Sequence, residues 1–187
     1  GIGYILATFS IGSVLLMIFS NKIIKYFSSK SVLEFCGYCH GFVWILVPFI
    51  KNIYYFMVLA FIAGCVVGIY EVAMNLQASD LEKRSRKSMM SGFHAFFSLG
   101  LLTGSLFTSL LVHLEINLLV NILIVVSILF PMTLTFGHFL QQDPFTSVSN
   151  NKKNIFFYWP LIIFILVLIT ITDSVTEGAV DAWAALY

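Results

Sequence analysis

Long apolar runs dominate this chain and restrict its fold more than any other feature. A helix needs about 20 apolar residues to cross the hydrocarbon core of a bilayer. Only 10% of the residues are charged, against roughly 25% in a soluble domain, so a soluble fold could not cover this much apolar surface. The sequence predicts an all-α, polytopic membrane protein with about six transmembrane helices, at Gly1–Phe19, Val32–Ile50, Ile53–Gln77, Met89–Leu114, Asn117–Leu140 and Tyr158–Tyr187.

Basic residues are concentrated in alternate connections between these segments. Nine of the 10 lysines and arginines lie in these alternate connections, and only Lys51 lies in one of the remaining connections. By the positive-inside rule the basic connections are cytoplasmic, which puts Gly1 and Tyr187 at the outer face. The near balance of 10 basic and 9 acidic residues argues against a nucleic-acid partner. The basic set consists of Lys22, Lys25, Lys30, Lys83, Arg84, Arg86, Lys87, Lys152 and Lys153.

The longest polar connection divides the chain into two parts. We predict a transmembrane bundle over residues 1–140, a cytoplasmic linker over residues 141–157 and a further helix over residues 158–187. Both ends of the chain interrupt an apolar run, so we expect an internal piece of a longer membrane protein.

Glycines recur at four-residue spacing on three of the predicted helices. This spacing lets helix backbones approach closely in a membrane, because no Cβ stands between them. We therefore predict tight helix packing at Gly37 and Gly41, Gly64 and Gly68, and Gly100 and Gly104.

Carboxylates inside apolar runs are the strongest indication of function. Glu71, Asp173 and Glu177 lie in such runs, and each costs roughly 2.5 to 3.5 kcal/mol to insert. One acid of this kind could be a buried tie between helices. Three acids favour a path along which a solute or a proton moves.

Two polar side chains extend the site predicted around Glu71. Asn75 lies four residues further on, hence on the same helix face, and the pair could hold a proton or a hydroxylated ligand or simply form an interhelical hydrogen bond. His94 lies deep in its own segment. It is either a proton-sharing or ligand-binding partner or a satisfied core histidine.

A second acidic stripe lies in the last apolar segment. Asp173, Glu177 and Asp181 are spaced four residues apart, with Trp183 close by. Asp181 and Trp183 could also lie at the outer headgroup level. Gly178 could permit a kink or local unwinding of the helix beside Glu177.

Residues 36–40 spell C-G-Y-C-H, the spacing of a c-type haem attachment site and of some thiol–disulfide sites. The motif lies in an apolar segment next to a predicted cytoplasmic connection, so we interpret Cys36 and Cys39 as packing groups. No H-E-x-x-H or G-x-S-x-G motif occurs, and the candidate acids and histidine are scattered over three helices. We therefore predict no cofactor, no metal site and no enzymatic activity.

Three stretches resemble helices of the major facilitator superfamily. Residues 64–75, G-C-V-V-G-I-Y-E-V-A-M-N, resemble its fourth helix, residues 90–100 its fifth and residues 177–187 its seventh. The likeness is greatest to the fucose–proton symporter family and its uncharacterised bacterial inner-membrane relatives. It spans helices two to seven of a twelve-helix transporter.

The resemblance implies a secondary transporter in the bacterial inner membrane. Its site would comprise Glu71, Asn75, His94, Asp173, Glu177 and Trp183. Two features depart from the family pattern. The connection over residues 21–30 lacks the usual Gly and Asp, and His94 and Phe97 stand where sugar-transporting members tend to carry Gln and Asn.

Together these observations predict a transporter that moves a small solute, a sugar or another polar molecule, by alternating access. Protons are the expected coupling ion, the lipid bilayer the expected surroundings and a monomer the expected state of the full-length protein. The competing interpretation is a polytopic membrane protein that does not transport, such as a structural subunit, a receptor or an intramembrane enzyme.

Overall fold

The computed structural model describes residues 2–140, 163–165, 167–172 and 175 of the chain. The chain divides into two compact units, Gly1–Phe145 and Thr146–Tyr187. In the second unit, the described residues are helical. The predicted linker over residues 141–157 lies wholly outside the described residues.

The described residues of the first unit form four helices and one short 3-10 turn, and no β-strand occurs in the described part of the chain. All four helices are long and apolar enough to cross a membrane, which confirms the predicted fold class. The elements are α1 (Ile2–Leu46), the 3-10 turn (Val47–Phe49), α2 (Ile53–Ser85), α3 (Met90–His113) and α4 (Leu118–Gly137).

Helix α1 is a hairpin of two membrane-length arms rather than one straight rod. Ser28 has non-helical backbone angles (φ 62°, ψ 154°) and separates a first arm, residues 2–27, from a second arm, residues 29–46. Phe9 of the first arm and Val43 of the second pack into the same apolar cluster as Leu59 of α2. Positions that are 34 residues apart can meet in this way only if the chain reverses at Ser28.

Two predicted polar connections are shorter than the sequence suggested. The first was expected over residues 21–31, but the helix continues to the break at Ser28, and Ile23 and Ile24 pack against the core. Helix α2 was expected to end near Gln77, yet it continues to Ser85. The i,i+4 pair of Asp80 and Arg84 supports this last part of the helix.

The first arm of α1 also contacts α2 backbone to backbone at three glycines. A Cβ added at Gly64 would collide with the carbonyl oxygen of Phe9, and one at Gly68 with that of Ser13. From the other side, a Cβ at Gly12 would collide with the carbonyl oxygen of Phe61. The absence of side chains at these positions is what permits the close approach of the two helices.

Helix α4 lies against the second arm of α1. A Cβ at Gly37 would come within 2.7 Å of the Thr133 methyl group, and one at Gly41 would make an ordinary 3.6 Å contact with Val126. At the end of this pair, the Lys30 ammonium donates a 3.1 Å hydrogen bond to the carbonyl oxygen of His138.

The basic connections of the first unit share one end of the bundle. The contact between Ser29 and Gln77 brings the break in α1 beside the last third of α2, and Lys30 meets the end of α4 at His138. Helix α3 begins at the same end, because Glu82 of α2 bonds to its first amides. This arrangement agrees with the alternation used for the topology prediction, while the cytoplasmic assignment itself stays a prediction.

Candidate functional site

A cavity of about 700 Å³ runs beside α2 and α3 towards the basic end of the bundle. It unites three of the residues predicted from sequence, since Glu71 and Asn75 on α2 and His94 on α3 all line it. Two further polar residues line the same cavity, Gln77 and Asp80. The rest of the lining is apolar: Leu33, Met74, Ala78, Leu81, Met90, Phe93, Phe96, Phe97, Phe139 and Leu140.

Helix geometry places Glu71 and Asn75 on one wall of this cavity. The two residues are one turn apart on α2 and so project on the same side. The small residue Ala73, between them, is fully buried on the opposite side, within the core formed by α1 and α2. Glu71 and Asn75 lie further along the face of α2 that carries Gly64 and Gly68.

His94 lies in the second turn of α3, near the start of that helix. Glu71 is half-buried, whereas Asn75 and His94 are exposed to the cavity. Among the residues that the structure describes, the side chains of these three make no hydrogen bond or ion pair. Their bonding capacity is therefore available to water, a proton or a solute.

The other predicted site residues belong to the last apolar segment of the chain. Asp173, Glu177 and Trp183, together with Asp181, lie outside the described residues. Their participation stays a prediction.

The six glycines predicted to mediate packing fall into two groups. Gly37, Gly41, Gly64 and Gly68 lie at the helix contacts described above. Gly100 and Gly104 on α3 have no heavy atom within 4 Å of an added Cβ in the described part of the chain. A packing role for these two glycines still requires a partner outside that part.

Two acidic residues with clear structural roles were missed by the sequence analysis. Glu82 accepts 3.0 Å hydrogen bonds from the backbone amides of Met89 and Met90, which it reaches across the turn between α2 and α3. Glu34, in the apolar part of α1, lies 4.0 Å from Lys30 and beside Gly137 of α4. The i,i+4 spacing of Lys30 and Glu34 could have indicated their pair, but no sequence pattern points to the Glu82 contact.

The C-G-Y-C-H motif lies within the second arm of α1. Cys36 is buried against Ile69 and Ala73, and the cysteines at 36, 39 and 65 are free thiols. The Trp44 indole donates a 2.9 Å hydrogen bond to Nε2 of His40. No group of three or more His, Cys, Asp or Glu residues suited to a metal ion occurs among the described residues.

Comparison with known proteins identifies the family. The sequence model of the Major Facilitator Superfamily matches residues 1–187, the whole of this chain. The chain belongs to the Major Facilitator Superfamily. Membership agrees with the membrane-spanning helices, so this is a multi-pass integral membrane protein.

One superfamily relative is an uncharacterized MFS-type transporter of Yersinia pestis, which is 52% identical over 42 residues. The match spans 22% of this chain and 11% of the relative's length. No solved structure matches the chain. The finer likeness to fucose–proton symporters within the Major Facilitator Superfamily stays a prediction.

Proposed function

We propose that this chain forms part of a secondary active transporter that moves a small solute by alternating access, coupled to protons. One observation carries the proposal. Glu71, Asn75 and His94, from two helices, line the same cavity without bonding to the described protein. Membership of the Major Facilitator Superfamily and the likeness to an MFS-type transporter support transport as the activity.

Glu71 is the proposed proton-responsive residue, and Asn75 orients the ligand or the carboxyl group. A carboxyl at membrane depth favours the neutral form when dry and the ionised form when wet. Alternating access changes its hydration, so the two states of the transporter would hold the proton with different affinity. Asp173 and Glu177 are the reserve candidates and, near the outer side, the proposed gating acids.

The cavity lining favours a small solute with both polar and apolar parts. Ligand sites commonly combine apolar walls with a few polar groups that orient the ligand. Here the phenylalanines and methionines supply the walls, and Glu71, Asn75 and His94 supply the polar contacts. A sugar stacked on an aromatic ring satisfies this pattern, as does another small amphipathic molecule.

We further propose that the full-length protein works as a monomer in the bacterial inner membrane, with the bilayer and the solute as its partners. The alternative function is a polytopic protein that does not transport, using the same helices as a receptor, a structural subunit or an enzyme. A second six-helix repeat in the full-length protein would favour transport, whereas an attached sensory or catalytic domain would favour the alternative.

The test uses full-length protein reconstituted in vesicles with an internal pH dye. Candidate solutes that change the internal pH identify the substrate and the coupling. Glu71→Gln keeps the shape and hydrogen bonding but removes titration, so it should abolish proton-driven accumulation while sparing solute exchange. Glu115→Gln is the matched control, because Glu115 is an exposed carboxylate in the turn after α3. Undiminished proton-driven accumulation by Glu71→Gln would contradict the proposal.

A further inference from the structure

A second, smaller cavity of about 350 Å³ lies at the turn between α2 and α3, and its lining differs in chemistry from that of the first. Its lining is entirely polar or charged and is formed by Ser79, Glu82, Lys83, Arg86, Lys87 and Ser88. Nothing in the proposed transport path uses these residues. The cavity is therefore a separate candidate for a binding site.

Charge in this turn is unevenly compensated. Asp80 is paired with Arg84 at 2.8 Å, and one carboxylate oxygen of Glu82, Oε2, accepts hydrogen bonds from the amides of Met89 and Met90. In the described part of the chain, Lys83, Arg86 and Lys87 have no ion-pair or hydrogen-bond partner for their side chains. The carboxylate of Glu82 also lines the cavity and offsets one of these three charges, so an excess of two positive charges remains to attract an anion.

The length of α2 places this cavity at the membrane surface. The helix has 33 residues and is about 50 Å long, whereas the hydrocarbon core is about 30 Å thick. The apolar part of the helix comes first, so its charged end extends to the headgroup level. Arg86 ends the helix in a left-handed conformation (φ 53°), and the chain turns back at once into α3.

We propose that Lys83, Arg86 and Lys87, with the hydroxyls of Ser79 and Ser88, bind the phosphate group of an anionic phospholipid. Cations just outside a membrane helix attract anionic headgroups, and a phosphate offers acceptor oxygens to several donors at once. A bilayer lipid is the source we favour over free phosphate, since the cavity lies at headgroup depth. Cations near the end of α2 also interact favourably with the helix dipole, and the experiment separates these two roles.

The experiment measures binding of radiolabelled short-chain phosphatidylglycerol to the full-length protein in a neutral detergent. Each cation near the surface contributes a factor of about five to affinity, so the variant with Lys83→Gln and Lys87→Gln should bind roughly 30-fold more weakly. The matched control carries Lys22→Gln and Lys25→Gln, which remove two lysines from the other basic connection of the first unit. We expect the control to change affinity by less than about twofold.

A single variant tests the same site if the double variant does not fold. Arg86→Asn preserves a residue type that tolerates positive φ and should weaken binding about fivefold. The proposed site would be overturned if the control variant lost as much lipid affinity as the variant with Lys83→Gln and Lys87→Gln. It would also be overturned if neither that variant nor Arg86→Asn lost lipid affinity. Displacement of the lipid by millimolar inorganic phosphate would show that the cavity binds the free anion instead and would overturn the lipid assignment.

Discussion

The amide of Gln77 donates a 2.7 Å hydrogen bond to the hydroxyl of Ser29, which joins the second arm of α1 to α2 beside the break in α1. Ser29 is completely buried, with 0% of its surface exposed. The two residues are separated by 48 positions in sequence, so their bond holds together parts of the chain that meet only after folding.

Removal of this hydroxyl should destabilise the bundle. Hydrogen bonds between membrane helices contribute about 0.6 to 2 kcal/mol, so we expect Ser29→Ala to lower the free energy of unfolding by about 1 kcal/mol. Unfolding of the purified full-length protein in mixed micelles measures this change. Ser105→Ala, at an exposed position on α3, is the control, and equal stability of the two variants would contradict the prediction.

The glycines of α2 at the contact with α1 should not tolerate replacement by alanine. Gly64→Ala and Gly68→Ala each place a Cβ against a backbone carbonyl of the first arm. Because backbone cannot move aside as a flexible side chain can, we expect a loss of about 1 to 3 kcal/mol for each. The measurement is the thermal unfolding temperature of the full-length protein.

The control for the glycine variants is Gly92→Ala in α3, where an added Cβ has no heavy atom within 4 Å among the described residues. Alanine is favoured over glycine in a helix by up to about 1 kcal/mol, so this change should be neutral or stabilising. The packing interpretation would fail if all three variants unfolded at the same temperature.

The carboxylate of Glu82 should stabilise the start of α3. Helix N-termini have unpaired amides, and a capping acceptor is worth about 1 kcal/mol. Glu82→Ala should therefore destabilise the protein by about this amount. Glu82→Gln keeps a carbonyl acceptor but loses the favourable charge at the helix N-terminus, so its effect should be smaller.

Hydrogen exchange at the Met89 and Met90 amides provides the measurement for Glu82. We expect exchange to rise in the order wild type, Glu82→Gln, Glu82→Ala. If the two amides exchanged as slowly in Glu82→Ala as in the wild type, they would have another hydrogen-bond partner.

Replacement of the cysteines should leave the protein folded and active. Cys36 is buried in the same apolar cluster as Ile69 and Ala73, and an alanine there loses only the sulfur atom. A cavity of that size costs on the order of 1 kcal/mol. Full-length protein with Cys36→Ala and Cys39→Ala should keep wild-type uptake, and loss of uptake at normal expression would show a redox or cofactor role.

Cysteine labelling in intact cells tests the predicted topology. In a background lacking the native cysteines, a membrane-impermeant thiol reagent should label cysteines introduced at Asn52 and Leu114. Positions 84 and 153 should stay unlabelled until the membrane is opened, because the basic connections are predicted to face the cytoplasm. Labelling at position 84 from outside would show that the orientation is the reverse of the predicted one.

Sequence alone was sufficient for the fold class, the membrane environment and the approximate positions of the helices in the first unit, although α2 ends at Ser85 rather than at Gln77. These properties depend on local composition, since a bilayer demands about 20 apolar residues in each crossing helix and internally bonded backbone throughout. The same information predicted Glu71 as a functional acid, a role that stays a prediction, and placed Asn75 on its side of the helix, because residues four apart on one helix must share a face.

The partners of these residues were decided only by the tertiary structure. Periodicity does not reveal which helix lies opposite a given face, so it could not distinguish Gly64, which meets the backbone of α1, from Gly104, which meets none of the described residues. It also could not place His94 on the cavity that contains Glu71. Contacts of this kind join distant parts of the chain, and they depend on how all the helices pack together rather than on the residues next to them in sequence.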